Sequence, residues 1–204
     1  PREDYVALVK AGMDRYLMKQ ETADPVLFSK LRPGTTLAER LAGLRFLQDL
    51  GVQIGSGFMV GLPGQSVTSL ADDILLLKEL RVDMAGIGPF IPHDQTPLAN
   101  YPAGDAALTL RAVAVARLVL RDVHLPATTA LATVCPRGQE AALACGANVI
   151  MPNATFTKYR QLYQIYPNKA GIGEEPAQTQ QRIVTMLQRL GDRKSTRLNS
   201  SHAN

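Results

Sequence analysis

The sequence predicts an α/β fold: a partial (β/α)8 TIM-type barrel made of the C-terminal five βα units, with the N-terminal strands missing. Short apolar runs alternate with amphipathic helical segments along the chain, a pattern typical of parallel strands with helices outside them. The runs are almost continuously apolar, which fits strands buried on both faces. Five units are too few to close a barrel, which needs about 250 residues. An open doubly wound sheet is the alternative.

The beginning of the chain favours the partial barrel. Pro1 is not an initiator methionine, and a helical pattern starts at once, with Tyr5, Leu8, Val9 and Met13 on one face. We therefore expect the chain to be the middle and end of a longer one.

Turn residues and helix caps separate the predicted elements. The helix over 37–50 stops at Gly51, and Ser66 or Ser69 suits the N-cap of the helix over 66–80. The strands are predicted at 16–18, 52–60, 83–91, 125–133 and 148–151. The other helices are predicted at 25–31, 106–120, 139–144 and 178–190.

Composition excludes several classes of protein. The 204 residues are 46% hydrophobic and include two cysteines, so the chain is an ordinary globular sequence without a disulfide scaffold. No apolar run approaches the length of a membrane span and no signal peptide is visible, so we expect a cytoplasmic protein without a membrane partner. Aromatic content is 5% with no tryptophan, which gives little material for stacking on nucleic acid.

The net charge of +4 depends largely on the end of the chain. Residues 193–204 hold three basic residues and no acidic one, and without them 19 basic residues face 18 acidic ones. We predict that residues 1–191 form the barrel part and that 192–204 are a polar tail of non-native appearance. A nucleic-acid partner is not expected from three scattered cations.

Polar residues collect where the predicted strands end. Because the carboxyl ends of parallel strands share one edge of the sheet, these residues should line a small-molecule site there. Glu21 could bind an amine or hydroxyl, or could instead cap a helix or form a salt bridge. Arg40 could capture a carboxylate, or could lie on a solvated helix face. Thr128 and Thr129 could donate to an anion, or could reflect β-propensity alone. His93 and His124 are read as structural.

Three segments of the sequence are distinctive enough to indicate a protein family. They are Gly86-Ile-Gly-Pro-Phe-Ile-Pro-His93, Pro126-Ala-Thr-Thr-Ala130 and Cys145-Gly-Ala-Asn-Val-Ile-Met-Pro-Asn153, and the more widespread Gly61-Leu-Pro-Gly-Gln65 precedes them. With these motifs, over about residues 1–167, the chain resembles the HydE family of radical S-adenosylmethionine maturases of FeFe-hydrogenase, relatives of biotin synthase.

The resemblance implies a complete (β/α)8 barrel whose first strands carry a CxxxCxxC loop. The three thiolates of that loop would hold a 4Fe-4S cluster that binds the methionine end of S-adenosylmethionine, and reductive cleavage would give a 5′-deoxyadenosyl radical. The implied substrate is an iron-cyanide-carbonyl-cysteine precursor of the hydrogenase di-iron site. The implied partners are the other hydrogenase maturases.

Site residues carried over by position are likewise implied by the resemblance. Glu21 would contact the ribose or amine of S-adenosylmethionine and Arg40 its carboxylate, with Val60 alongside the adenosine. In the substrate cavity, Thr128 would bind a carboxylate. Met151 and Tyr163 would line the same cavity.

The chain departs from the family pattern in ways that bear on its activity. It has no CxxxCxxC, and Cys135 and Cys145 cannot replace that motif, so we expect this chain alone to hold no cluster and to be inactive. No cysteine follows in 168–173, so no second cluster is expected. Lys19-Gln20 stands where the resemblance implies an Arg-His pair, which leaves the role of Lys19 open.

Two other enzyme classes remain open. One is a biotin synthase-like radical enzyme. The other is a non-radical (β/α) barrel lyase or isomerase that uses Glu21 as base and Lys19 as Schiff-base residue.

Overall fold

The computed structural model describes residues 2–160, 162 and 165–191. Helices and strands alternate through most of this range, as predicted. The strands are β1 (Arg15–Leu17), β2 (Gln53–Val60) and β3 (Met84–Pro89). The helices are α1 (Arg2–Lys10), α2 (Pro25–Leu31), α3 (Leu37–Asp49), α4 (Val67–Glu79), α5 (Ala106–Leu120), α6 (Thr129–Val134), α7 (Gly138–Ala144), α8 (Thr157–Arg160) and α9 (Pro176–Arg189).

The strands form a parallel sheet in the order β1-β2-β3. Leu17 pairs with Gly55, and Gly57 pairs with Gly86. Two parallel bridges continue the sheet in chain order, the first from β3 to residue 124 and the second from residue 126 to residue 149. Sequential neighbours in a parallel sheet are the arrangement of a barrel wall. The two last predicted strands are thus represented by single bridges.

The predicted strand over 125–133 is wrong beyond residue 128, because α6 begins there. Thr128 has an extended backbone, and its hydroxyl accepts a hydrogen bond from the Leu131 N–H at 3.3 Å, which makes it the N-cap of α6. Threonine favours both strands and helix N-caps, and here the capping preference prevails. Thr128 is therefore the point at which a short extended segment turns into a helix.

Local sequence explains where the long helices begin. Thr36 and Glu39 form a capping box at the start of α3, and Ser66 and Ser69 form one at the start of α4. Asp105 caps α5 by accepting from the Leu108 N–H. The helix starts are therefore fixed by hydrogen bonds within a few residues, which is why they were predictable from sequence.

The main core lies between one face of the sheet and the helices. Its strand members, which alternate along β2 and β3, are Ile54, Phe58, Val60, Ala85 and Ile87. Its helix members include Leu44 and Leu47 of α3, Leu70, Ile74 and Leu77 of α4, and Ala112, Val113 and Ala116 of α5. Burial of these side chains is the main favourable contribution to folding.

The chain divides into two compact units. The first comprises residues 1–151 and 165–170 and holds the sheet, and the second comprises 152–164 and 171–204. In the second unit the Arg160 side chain is 2% exposed and donates to the carbonyls of Asn153, Thr155, Gly171 and Glu174.

The predicted tail over 192–204 lies outside the described residues, and the predicted extent of the barrel part remains a prediction. Among residues 2–160, 162 and 165–191, no helix has the length and hydrophobicity to cross a membrane.

Candidate functional site

Glu21 follows β1 at the carboxyl edge of the sheet. Its N–H donates to the Gly57 carbonyl at 3.0 Å, and its own carbonyl accepts from the Met59 N–H at 3.2 Å. The backbone φ of 68° is unusual for a residue other than glycine and costs about 1 kcal/mol. The side chain is 13% exposed, and its Oε1 pairs with Arg32 Nη2 at 3.0 Å. One carboxylate oxygen is thus paired within the chain.

Arg32 is a residue of this site that the sequence analysis missed. It follows the last residue of α2 and is the ion-pair partner of Glu21. A basic residue in the turn after a short helix has many possible uses, so its type and position gave no specific signal. Only the folded chain joins Arg32 to Glu21.

Arg40 lies in the first half of α3 and is turned toward the same segment. Its Nη1 donates to the Lys19 carbonyl at 2.7 Å, and its guanidinium carbon is 5.5 Å from the centre of the Phe28 ring. These contacts fix the plane of the guanidinium. Arg40 therefore contacts the segment that leads from β1 to Glu21, and a ligand shared by the two side chains remains a prediction.

Val60, the last residue of β2, has a fully buried side chain in the core beneath the helices. Its carbonyl accepts from the Phe90 N–H at 2.8 Å. The residue lies at the ligand-binding edge of the sheet, but its side chain is committed to packing. Its place beside an adenosine remains a prediction.

The sheet face opposite the core is lined by glycines. We call Gly55, Gly57, Gly86 and Gly88 the glycine face. A Cβ on Gly55 would lie 2.5 Å from Leu17 Cδ1, and one on Gly57 would lie 2.1 Å from the Gly86 carbonyl oxygen. These strands therefore admit no larger residue without rearrangement, and other parts of the chain lie directly against their backbone.

Lys19 and Thr128 both lie over the glycine face. A Cβ on Gly86 would be 3.1 Å from Lys19 Cε, and one on Gly88 would be 2.9 Å from Thr128 Oγ1. Gly86 and Gly88 are alternate residues of β3, so the two polar side chains are neighbours on this face.

The ammonium of Lys19 has an unusual environment. Burial lowers its pKa below the ordinary value of 10.5, and the nearby negative charge of Glu21 acts in the opposite direction. Among the described residues no group forms a hydrogen bond with the Lys19 Nζ. Because Lys19 is half-buried, the charge of an anionic ligand bound there would act with that of Glu21 in favouring the ammonium form. Sequence reasoning left Lys19 without a role, and the fold brings it beside Thr128.

Met151 and Tyr163 are the two remaining residues that were predicted to line the substrate cavity. Met151 is 55% exposed and follows the bridge at residue 149. Tyr163 lies outside the described residues. Their proposed contacts with substrate remain predictions.

No metal centre is formed by the described part of the chain. No group of three or more His, Cys, Asp or Glu side chains there could hold a metal ion. Cys135 and Cys145 are both free. This chain does not supply the three thiolates that a 4Fe-4S cluster of the implied kind needs.

Comparison with known proteins relates the chain to one group of enzymes. No protein-family model matches it. It is 53% identical over 191 residues to the FeFe hydrogenase maturase subunit HydE of Thermotoga maritima, a match that covers 94% of this chain and 55% of that protein. It is 30% identical over 146 residues to biotin synthase of Pseudomonas fluorescens, covering 71% of this chain and 41% of that protein. The chain thus spans about half the length of the curated relatives it matches.

The solved structure of methylornithine synthase shares the fold. It superimposes with a TM-score of 0.79 at 22% identity, over 96% of this chain and 56% of that one. The match covers just over half of a TIM-barrel enzyme, which confirms the partial barrel rather than an open doubly wound sheet. By sequence and by fold, the chain is a close relative of HydE within the radical S-adenosylmethionine enzymes.

Proposed function

We propose that the whole protein is a radical S-adenosylmethionine enzyme that matures the di-iron site of the FeFe-hydrogenase H-cluster, in concert with other hydrogenase maturases. The observation that carries the proposal is the 53% identity to HydE over 94% of this chain, well above the 30% identity to a biotin synthase. This chain would provide contacts to the cofactor and to the substrate, with no catalytic residue assigned to it.

The cofactor contacts are proposed at Glu21 and Arg40. S-adenosylmethionine, when bound, supplies the 5′-deoxyadenosyl group whose radical acts on the substrate. Arg40 has one N–H bonded to the Lys19 carbonyl and no other side-chain hydrogen bond within the described residues, so its remaining N–H groups suit a carboxylate. Glu21 has one oxygen paired with Arg32, which leaves the other to accept from a hydroxyl or ammonium group.

The 4Fe-4S cluster does not fit the residues of this chain. Its thiolate ligands are absent, since the sequence contains two cysteines and no CxxxCxxC motif. No step that depends on the cluster is therefore assigned to these residues.

A substrate carboxylate is proposed to bind over the glycine face. Lys19 would provide the positive charge and Thr128 a hydroxyl donor, with Met151 lining the same space. The half-buried ammonium of Lys19, which forms no hydrogen bond within the described residues, supports this assignment, because a neighbouring anion favours its charged form. A lysine gives a point charge rather than the two-pronged contact of an arginine.

Replacement of either cofactor residue should weaken S-adenosylmethionine binding. For Glu21→Gln and Arg40→Ala in the whole protein, we expect an increase in Kd of about tenfold to a hundredfold, since each removes a charge-assisted hydrogen bond. Calorimetric titration with S-adenosylmethionine measures it. Arg45→Ala is the control, because Arg45 lies on the same helix and pairs with Glu79 at the surface. Unchanged affinity in both site variants would refute the assignment.

Thr128→Val should impair the substrate and spare the cofactor. We expect an increase of about tenfold in the KM for a cysteine-ligated iron carbonyl cyanide complex, with uncoupled formation of 5′-deoxyadenosine unchanged. The valine also removes the N-cap of α6. Thr128→Ser keeps both the cap and the hydroxyl and should behave as wild type. Parallel loss of both activities in Thr128→Val would contradict the substrate role.

A further inference from the structure

The inward face of α4 carries one acidic residue among leucines. Leu70, Ile74 and Leu77 of this face belong to the core, and Asp73 between them is fully buried. A buried carboxylate is unfavourable unless hydrogen bonds compensate it. The partners of Asp73 therefore indicate why an acid occupies this position.

Asp73 bonds to the segments that follow two neighbouring strands. Its Oδ1 accepts a short hydrogen bond from the Ala23 N–H, after β1, and its Oδ2 accepts from Gln65 Nε2 at 3.3 Å, after β2. The backbone carbonyl of Asp73 accepts from Gln20 Nε2 at 3.1 Å. One residue of α4 thus connects both loops at the carboxyl edge of the sheet.

Gln65 extends this network into the loop after β2. Its Oε1 accepts from the N–H groups of Gly61 at 2.8 Å and Leu62 at 3.3 Å. Its Nε2 also donates to the Met59 carbonyl at 2.8 Å. The conformation of 61–65 is therefore held by one amide side chain, which Asp73 in turn orients.

Gln20 fixes the other end. Its N–H donates to Ser56 Oγ at 3.1 Å, and the Ser56 hydroxyl lies 3.0 Å from Gln20 Oε1. Both residues are fully buried. The segment after β1 is therefore anchored from the helix side at Gln20 and at Ala23.

Glu21 lies between these two anchors and has the left-handed backbone described above. A left-handed conformation at a residue other than glycine persists only where its surroundings enforce it. We propose that Asp73 is a positioning residue for cofactor binding, which acts through Ala23 and Gln20 to hold Glu21 in its binding conformation. This inference rests on the proposed function of Glu21.

The chemistry of the network requires an acceptor at this position. The groups that face the Asp73 carboxylate are N–H donors, from Ala23, Gln20 and Gln65, and they favour the ionised form. Burial outweighs them and raises the pKa of Asp73 to about 7. An asparagine would place its own N–H2 group against one of these donors, so Asp73→Asn changes the network with little change in volume.

The test is a double-mutant cycle in the whole protein with its cluster loaded. The Kd for S-adenosylmethionine is measured calorimetrically for wild type, Asp73→Asn, Glu21→Gln and the double variant. We expect Asp73→Asn to raise the Kd about tenfold, and to have less than about a twofold further effect when Glu21 is already replaced, because the two act in series. Asp72→Asn is the control, since Asp72 is the exposed neighbour on the same helix and should leave the Kd unchanged.

Hydrogen exchange supplies an independent readout. In Asp73→Asn, we expect faster exchange at the Ala23 amide than in wild type, with the Phe58 and Ile87 amides of β2 and β3 unchanged. An unchanged Kd in folded Asp73→Asn, or full additivity with Glu21→Gln, would overturn the inference about Asp73 and leave the proposed function intact.

An unchanged Kd in Glu21→Gln would overturn both the assignment of Glu21 and the inference about Asp73. If Asp73→Asn does not fold, Gln65→Met takes its place in the same cycle, with the same expected and contrary outcomes.

Discussion

The free energy of unfolding should fall between about pH 5 and about pH 8, by an amount on the order of 3 kcal/mol, because of Asp73. Its pKa is 3.8 in an ordinary environment and about 7 in the folded protein, where burial raises it. The folded state therefore retains a proton that the unfolded state has already released. This stabilisation is complete below pH 3.8, is lost as the pH rises to about 7, and does not change further above that.

Urea unfolding at the two pH values measures this effect. Glu39, whose pKa is lowered by hydrogen bonds from Thr36, gives a stabilisation that is constant above its ordinary value of 4.5 and is lost only below it, so it does not interfere in this window. In Asp73→Asn the fall in stability with rising pH should disappear, since no ionisable group remains at the position, and Lys19, whose pKa burial lowers, can only raise the stability as the pH rises. In Asp72→Asn the fall should persist. A wild-type protein of equal stability at both pH values, or a fall in stability that survives in Asp73→Asn, would contradict the prediction.

Gly57→Ala should destabilise the protein by about 3 kcal/mol or more. The added Cβ would lie 2.1 Å from the Gly86 carbonyl oxygen, so the backbones of β2 and β3 would have to move apart at the centre of the sheet. Because backbone atoms are involved, no change of side-chain rotamer can relieve the contact.

Chemical denaturation followed by circular dichroism measures this loss. Gly173→Ala is the control, because a Cβ there meets nothing within 4 Å and the residue has no left-handed backbone. We expect the control to change the free energy of unfolding by less than about 0.5 kcal/mol. A wild-type stability in Gly57→Ala would show that the strands can separate at this point without cost, contrary to the packing described here.

Local sequence determined much of the fold. The starts of α3, α4 and α5 agree with the predicted helices to within a residue, because caps such as Thr36 and Ser66 act on neighbouring amides. The parallel arrangement followed from the alternation of apolar runs and helices. The error at Thr128 has the same local origin, since threonine serves strands and caps equally well.

For the candidate site, the contributions of the sequence and of the tertiary structure are different. Its proposed position at the carboxyl edge, with Glu21 there, was predicted from the sequence because strand ends are recognisable and chain order fixes which of them are adjacent, whereas the role of Arg40 was implied by the family resemblance. The sequence by itself also determined that this chain lacks the cysteines of a 4Fe-4S cluster. Only the tertiary structure decided the pairing of Glu21 with Arg32, the approach of Lys19 to Thr128 and the burial of Asp73 among donors. Those contacts join residues from 11 to 109 positions apart in the chain, and the distances between such side chains depend on packing that no local pattern encodes.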